Sequence, residues 1–188
     1  MRADDAVKAL SQGAHPARST LITFDDGYVE TATVAWPVLR RFKAPAVVFV
    51  TPNEVGTPGF ASWEQLAAMA RGGFTIGCHT MRHSYLPDTP EERLEEELAA
   101  SKAVIEEHIG MSVEYLSYPI GGYTPAAQSV ARRAGYRAAF TTNRGVSRAL
   151  DLFAIRRIKI TERDANPLVL RAKVSGLYDS FRQPKRPA

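Results

Sequence analysis

The apolar run Leu21-Ile22-Thr23-Phe24 drives straight into two adjacent carboxylates, Asp25 and Asp26, and then into Gly27. Its β-branched and aromatic members suit a strand packed on both faces, and Gly27 permits the tight turn that follows. A strand of that kind belongs to a sheet with helices over it, so the chain is held to an α/β arrangement. Two acids at one strand end repel each other unless positive charge sits between or beside them, so a cation is expected there.

The partners for such a cation stand in Gly77-Cys78-His79-Thr80-Met81-Arg82-His83. Phe74, Ile76 and Cys78 alternate with Thr75, Gly77 and His79, so His79 leaves a second strand on the face opposite the apolar residues. One helical turn after it would aim His79 and His83 the same way, able to grip one ion. Two neutral imidazoles and a carboxylate form a three-ligand site with open positions, the arrangement hydrolytic metals use.

Taken in order, the chain opens on an amphipathic segment, Asp4 to Leu10, with a turn at Gly13 to Pro16 before the first strand. A helix through Arg41 follows, with Val34, Val38, Leu39 and Phe42 at helical spacing, and then the strand Ala46 to Val50. Thr51 to Phe60 reads as a loop, and Ser62-Trp63-Glu64-Gln65 has the form of a capping box opening a helix that stops at Gly72-Gly73. The next helix is expected to be capped by Thr89, to have Pro90 first, and to end at Gly110 with Leu94, Leu98, Ile105 and Ile109 inward. Val113 to Tyr118 reads as a strand broken by Pro119-Ile120-Gly121-Gly122. A helix from Thr124-Pro125, a strand from Ala138 to Thr141, a strand from Arg157 to Ile160 and a last helix from Asn166-Pro167 complete the pattern.

Strands and helices alternate throughout, so the sheet is expected to be parallel with right-handed connections. Residues just past the C-terminal strand ends then converge on one mouth. Asp25 and Asp26, His79 and His83, and Tyr118 to Gly122 would all land on that rim.

Composition excludes several classes. At 188 residues and 45% hydrophobic side chains, the chain reads as one domain, 1–188, able to bury a substantial core. The net charge of +4 arises from 24 basic and 20 acidic residues spread widely, so nucleic acid is not implied. Positive charge concentrates only in the tail, 179–188, read as a flexible end. No run has membrane-spanning length and the first residues lack an apolar secretion core, which by sequence alone points either to the cytoplasm or to a chain given after a removed leader. The single cysteine, Cys78, excludes an internal disulfide; alternation turns it toward the core as a small hydrophobe.

Three motifs carry a family resemblance. Thr23-Phe24-Asp25-Asp26-Gly27, His79-Thr80-Met81-Arg82-His83 and Ser117-Tyr118-Pro119-Ile120-Gly121 resemble the first three motifs of the polysaccharide deacetylases, carbohydrate esterase family four. Ser62 to Leu66 and Ala134-Gly135-Tyr136 are also similar to family segments, so the likeness runs from about residue 5 to 160. It implies a distorted (β/α) barrel with fewer than eight units, and removal of acetyl groups from N-acetylated or O-acetylated sugars. Position by position, it makes Asp26, His79 and His83 the metal ligands, with zinc the usual ion, and Asp25 the catalytic base. Zinc in such a site brings the pKa of its water toward ~7, and Asp25 beside it can take the proton. The resemblance places the oxyanion donor at the main-chain N–H of Ile120, just after Pro119, where the family often has Tyr. It also implies an acetylated polysaccharide or oligosaccharide as substrate and work in the cell envelope or outside the cell.

The departures are as definite. The family commonly has an Arg where Ser117 stands, to orient the base, and a late Leu-x-His whose His protonates the leaving amine. Arg157-Ile158-Lys159-Ile160 holds no His; Arg156 or Arg157 could replace the missing Arg near Asp25, though the start of a strand is a poor position for it. His108 lies in a last helical turn and His15 precedes the first strand, so neither serves as the acid. Tyr28 and Tyr123 can stack on sugar rings or cover core edges. Trp63 reads as a packing anchor, and Glu91, Glu92, Glu95, Glu96 and Glu97 as a solvated helix face. A strand missing from the front would leave an exposed edge that favours a homodimer. Alternatives to glycan deacetylation are an amidase or esterase acting on a small non-carbohydrate substrate, a silent glycan-binding homologue, and an iron oxygenase. The last has no need of the neighbouring acid.

Overall fold

Period-two alternation sorts the strands into an inward and an outward set, and the site follows from that sorting. The computed structural model describes residues 1–14, 19–143 and 151–175. Six strands pair in chain order, β1 (Ile22–Phe24), β2 (Ala46–Val50), β3 (Thr75–Cys78), β4 (Tyr115–Ser117), β5 (Ala138–Thr141) and β6 (Ile155–Arg156), and every pairing is parallel. The sheet curls into a distorted α/β barrel with β1 and β6 as its two edges.

The outward residues Val48, Val50, Ile76, Cys78, Leu116 and Ala139 form one core with the helices, among them Leu66 and Met69 of α3 (Trp63–Arg71) and Ile105 of α4 (Ser101–Ile109). The inward residues Val47, Phe49, Tyr115, Ala138 and Phe140 form a second core with Ala3 and Val7 of α1 (Ala3–Ser11). Tyr115 and Ala138 open their strands, so α1 closes the barrel at its N-terminal end, fastened by the Tyr115 hydroxyl donating to Asp4 Oδ1 at 2.5 Å. Gly77 belongs to the inward set because a Cβ there would lie 2.5 Å from the Phe49 ring.

Helix ends follow local chemistry closely. Ser62 and Gln65 satisfy each other's main-chain N–H groups at the start of α3, as the capping box requires. Thr124 accepts from Ala127 N–H to open α5 (Pro125–Arg133), and Asn166 accepts from Leu168 N–H to open α6 (Pro167–Val174). Gly110, at φ 71°, ends α4 in the left-handed conformation that glycine tolerates.

Four expectations are corrected. The helix after β1 runs through a π-helical stretch, Thr31–Ala35, into α2 (Trp36–Arg41), and it buries Ala32 and packs Trp36 and Leu39 on the core. That leaves Val34, Val38 and Phe42 exposed. Two stripes at helical spacing compete, and the one carrying Trp36 wins because its ring lies flush on Gly72, where a Cβ would stand 2.8 Å away. Thr89 does not cap; its hydroxyl donates to Tyr85 O, and α4 is reached through a 3-10 turn, Glu91–Arg93, and a π-helical stretch, Glu96–Ala100. Glu97 is wholly buried rather than solvated. The strand expected over Arg157 to Ile160 lies at Ile155–Arg156 instead. His15 and the basic tail 179–188 lie outside the described residues.

Candidate metal centre

The chain leaves β1 with Asp25 on the inward face, in step with Thr23. It then turns sharply through two left-handed residues, Asp26 at φ 71° and Gly27 at φ 78°. Aspartate is among the few side chains that enter that region readily. Gly27 N–H donates to Asp25 O at 2.9 Å, closing the turn. Both carboxylates therefore reach the mouth, but in different directions.

Asp26 Oδ1 stands 3.4 Å from His79 Nε2 and 3.3 Å from His83 Nε2, and it is buried without a hydrogen-bond partner. A tetrahedral ion with ligand bonds of about 2.0–2.1 Å spaces its ligands about 3.3 Å apart. An orphaned carboxylate oxygen between two imidazole nitrogens at that spacing fits a divalent ion, and Asp26, His79 and His83 are the residues that would hold it. The imidazoles, His79 foremost, hold the Asp26 carboxyl below its ordinary value against the opposing effect of burial. His79 is almost fully buried, and its Nδ1 lies 2.7 Å from Ser117 O. A carbonyl can only accept, so Nδ1 carries the proton and Nε2 presents its lone pair to the centre.

The link between the two histidines is not the helical turn the spacing suggests. Thr80 at φ 66° and His83 at φ 55° are left-handed, and the rings meet edge to face with centroids 4.9 Å apart. Such a loop leaves main-chain N–H groups without partners, and Glu97 supplies them. Its Oε2 accepts from Met81 N–H at 3.0 Å and Arg82 N–H at 3.2 Å, while Oε1 takes the Arg82 guanidinium at 3.3 Å. The signal was present in the sequence: Glu97 sits on the inward stripe of Leu94, Leu98 and Ser101, where an unpaired acid is not tolerated.

Asp25 is held by Arg157. The guanidinium forks onto both carboxylate oxygens, Nη1 to Oδ1 and Nη2 to Oδ2, each at 2.7 Å. The same group donates to Ser117 Oγ at 2.7 Å and Thr23 Oγ1 at 3.0 Å. Burial pushes the Asp25 carboxyl up, and Arg157 more than offsets it, so the acid is kept below its ordinary value and ionised. This corrects the expectation that Arg157 is badly placed. With the strand two residues earlier, Arg157 follows its C-terminal end and lands on the rim, replacing the arginine that Ser117 lacks.

In the third motif, Pro119 is buried and Ile120 is mostly exposed at φ 57°, left-handed again. Gly121 and Gly122 N–H groups bond back to Tyr118 O and Pro119 O, whereas the Ile120 N–H takes no main-chain acceptor among the described residues. Tyr123 stacks on Tyr118 at 4.9 Å and packs on the core, covering its edge; Tyr28 is half exposed beside Asp26, whose charge holds its phenol above the ordinary range. Cys78 is buried, and His108 stacks on Trp63 at 4.2 Å with its Nδ1 on Val104 O, both in structural roles.

A profile described as polysaccharide deacetylase matches residues 12–139, ending before Arg157. YxkH of Bacillus subtilis, named for the same family, is 30% identical over 159 residues, covering 84% of this chain and 57% of its own length. The peptidoglycan-N-acetylglucosamine deacetylase of Bacillus cereus is 33% identical over 118 residues, covering 62% of this chain and 53% of its own. The chain thus spans about half the length of these curated relatives. The solved structure of IcaB from Ammonifex degensii superposes with a TM-score of 0.81 at 27% identity, covering 92% of this chain and 81% of that one. With its barrel, its three rim motifs and this match, the chain belongs to the polysaccharide deacetylase family.

Proposed function

We propose that the chain is a metal-dependent hydrolase that removes acetyl groups from an acetylated glycan, with N-acetylated sugars the preferred substrate. The observation that carries this reading is the division of labour between adjacent acids: Asp26 faces His79 and His83, while Asp25 is turned away onto Arg157. A divalent ion held by Asp26, His79 and His83, zinc by family resemblance, would supply a Lewis acid for the acetyl carbonyl and for water. Asp25, kept ionised, takes a proton from the attacking water. As the water oxygen bonds to the carbonyl carbon, the Ile120 N–H donates to the oxygen that gains charge. The carbon–nitrogen bond then breaks, the amine leaves with the proton that Asp25 took from the water, and acetate remains. The relatives' names, peptidoglycan-N-acetylglucosamine deacetylase among them, support an amino-sugar polymer.

The test is acetate release from N-acetylglucosamine oligomers by the zinc-loaded protein. Asp25→Asn is expected to lower turnover by roughly 10²–10⁴-fold with metal content unchanged. Undiminished turnover in that variant removes Asp25 from the mechanism. Sugar binding without acetate points to a silent glycan-binding protein, and turnover of small amides alone to the amidase reading.

A further inference from the structure

One wall of the cleft above Asp26 and His83 has no part in the reaction just described. It is the loop between β2 and α3, and it is fastened on both sides. Thr51 Oγ1 donates to His79 O at 3.2 Å, Asn53 N–H to Met81 O at 3.2 Å, Ala61 N–H to Gly27 O at 2.9 Å, and Val29 N–H to Gly59 O at 2.9 Å. Phe60 bridges to Tyr28 in antiparallel fashion, and the two rings stack with centroids 5.1 Å apart and planes at 26°. The cleft measures about 170 Å³ and is lined by Asp26, Tyr28, Thr51, Glu54, Phe60 and His83.

Charge separates Glu54 from the other acids here. Asp25 is matched by Arg157 and Asp26 faces two imidazoles. Glu54 is partly buried, and its carboxylate has no ion pair or hydrogen bond among the described residues. A carboxylate held on a rigid wall with no cation beside it binds a cationic donor more strongly than a neutral one. Beside it, the half-exposed Tyr28 ring, backed by Phe60 on its other face, offers a flat apolar surface of the kind that takes the face of a pyranose.

We propose that this wall is a subsite for an amino sugar with a free ammonium group, next in the chain to the unit being deacetylated. Tyr28, held by Phe60 behind it, takes the ring face, and Glu54 takes the ammonium. The inference rests on the deacetylase reading for the kind of polymer, and it deepens that reading: chains already partly deacetylated bind better than fully acetylated ones, so each turnover improves the substrate for the next.

The experiment compares binding of a glucosamine tetramer and an N-acetylglucosamine tetramer to the zinc-loaded protein by calorimetry. The wild type is expected to bind the glucosamine tetramer roughly tenfold more tightly at low salt, the scale of one charge-assisted contact. Glu54→Gln should erase that difference, and about 0.5 M sodium chloride should shrink it. Unchanged zinc affinity shows that the variant is folded. Equal affinities in the wild type, or a preference that survives Glu54→Gln, overturn the subsite. Acetate release by the wild type is scored separately: its absence alongside a Glu54-dependent preference overturns the deacetylase reading and leaves the subsite standing.

Discussion

A carboxylate that is to accept a proton must stay charged while partly buried, and burial alone would push it toward the neutral form. Arg157 resolves this for Asp25 by meeting both oxygens at once. A lysine offers one point charge and no fork, so Arg157→Lys is expected to recover little of what Arg157→Ala loses. Both should lower kcat by about 10²-fold with zinc content unchanged; loss of zinc instead would mean that Arg157 supports the ligands rather than the base. Glu97 carries the complementary prediction. It orders the main chain between His79 and His83, so Glu97→Ala should weaken zinc binding by roughly 10–100-fold, the range for groups that orient ligands, as measured by chelator competition. Wild-type zinc affinity in a less stable Glu97→Ala would reduce Glu97 to packing. Asp25, Asp26, His79 and His83 were legible as a cluster in the sequence because each sits beside its neighbours in a short motif. The partners of Arg157 and Glu97 were not, because each side chain acts on a segment far away in the chain, and a two-residue shift of β6 or a face assignment on one helix decides where it points.

At the scale of elements, the three strand-end loops share one device: each carries a left-handed residue at the mouth. Asp26, His83 and Ile120 all have positive φ. For Ile120 the conformation costs about 1–2 kcal/mol, since a β-branched residue crowds its own carbonyl there. Its side chain is largely exposed, so the proposed contribution is the N–H alone. Ile120→Gly removes the strain but adds about 0.5–1 kcal/mol of unfolded-chain entropy. The net expectation is a stabilisation of roughly 0.5–1 kcal/mol, seen in denaturant unfolding, with turnover within a few-fold of wild type. A large loss of turnover would assign the role to the side chain. Strand and helix limits were readable where one local pattern had no rival: Ala46–Val50, Ala138–Thr141 and the capped start of α3. They are ambiguous where two patterns compete, as in the helix containing Val34 and Trp36, because only packing against Gly72 chooses between the stripes.

For the molecule as a whole, the ion would be bound by residues that the unfolded chain keeps far apart. Asp26 follows β1, His79 and His83 follow β3, and β2 lies between those strands. The unfolded chain has no such site, so binding energy becomes folding energy. Zinc at about 100 times its dissociation constant should add roughly 2.7 kcal/mol. A chain of this size shifts its melting temperature by about 2–4 °C per kcal/mol, so stripping the metal should lower it by about 5–10 °C, and restoring zinc should reverse the change. The double variant His79→Ala, His83→Ala separates this from zinc sticking elsewhere, because its melting temperature should not respond to the chelator at all. A wild type equally indifferent to zinc and chelator would show that Asp26, His79 and His83, for all their proximity, do not share an ion.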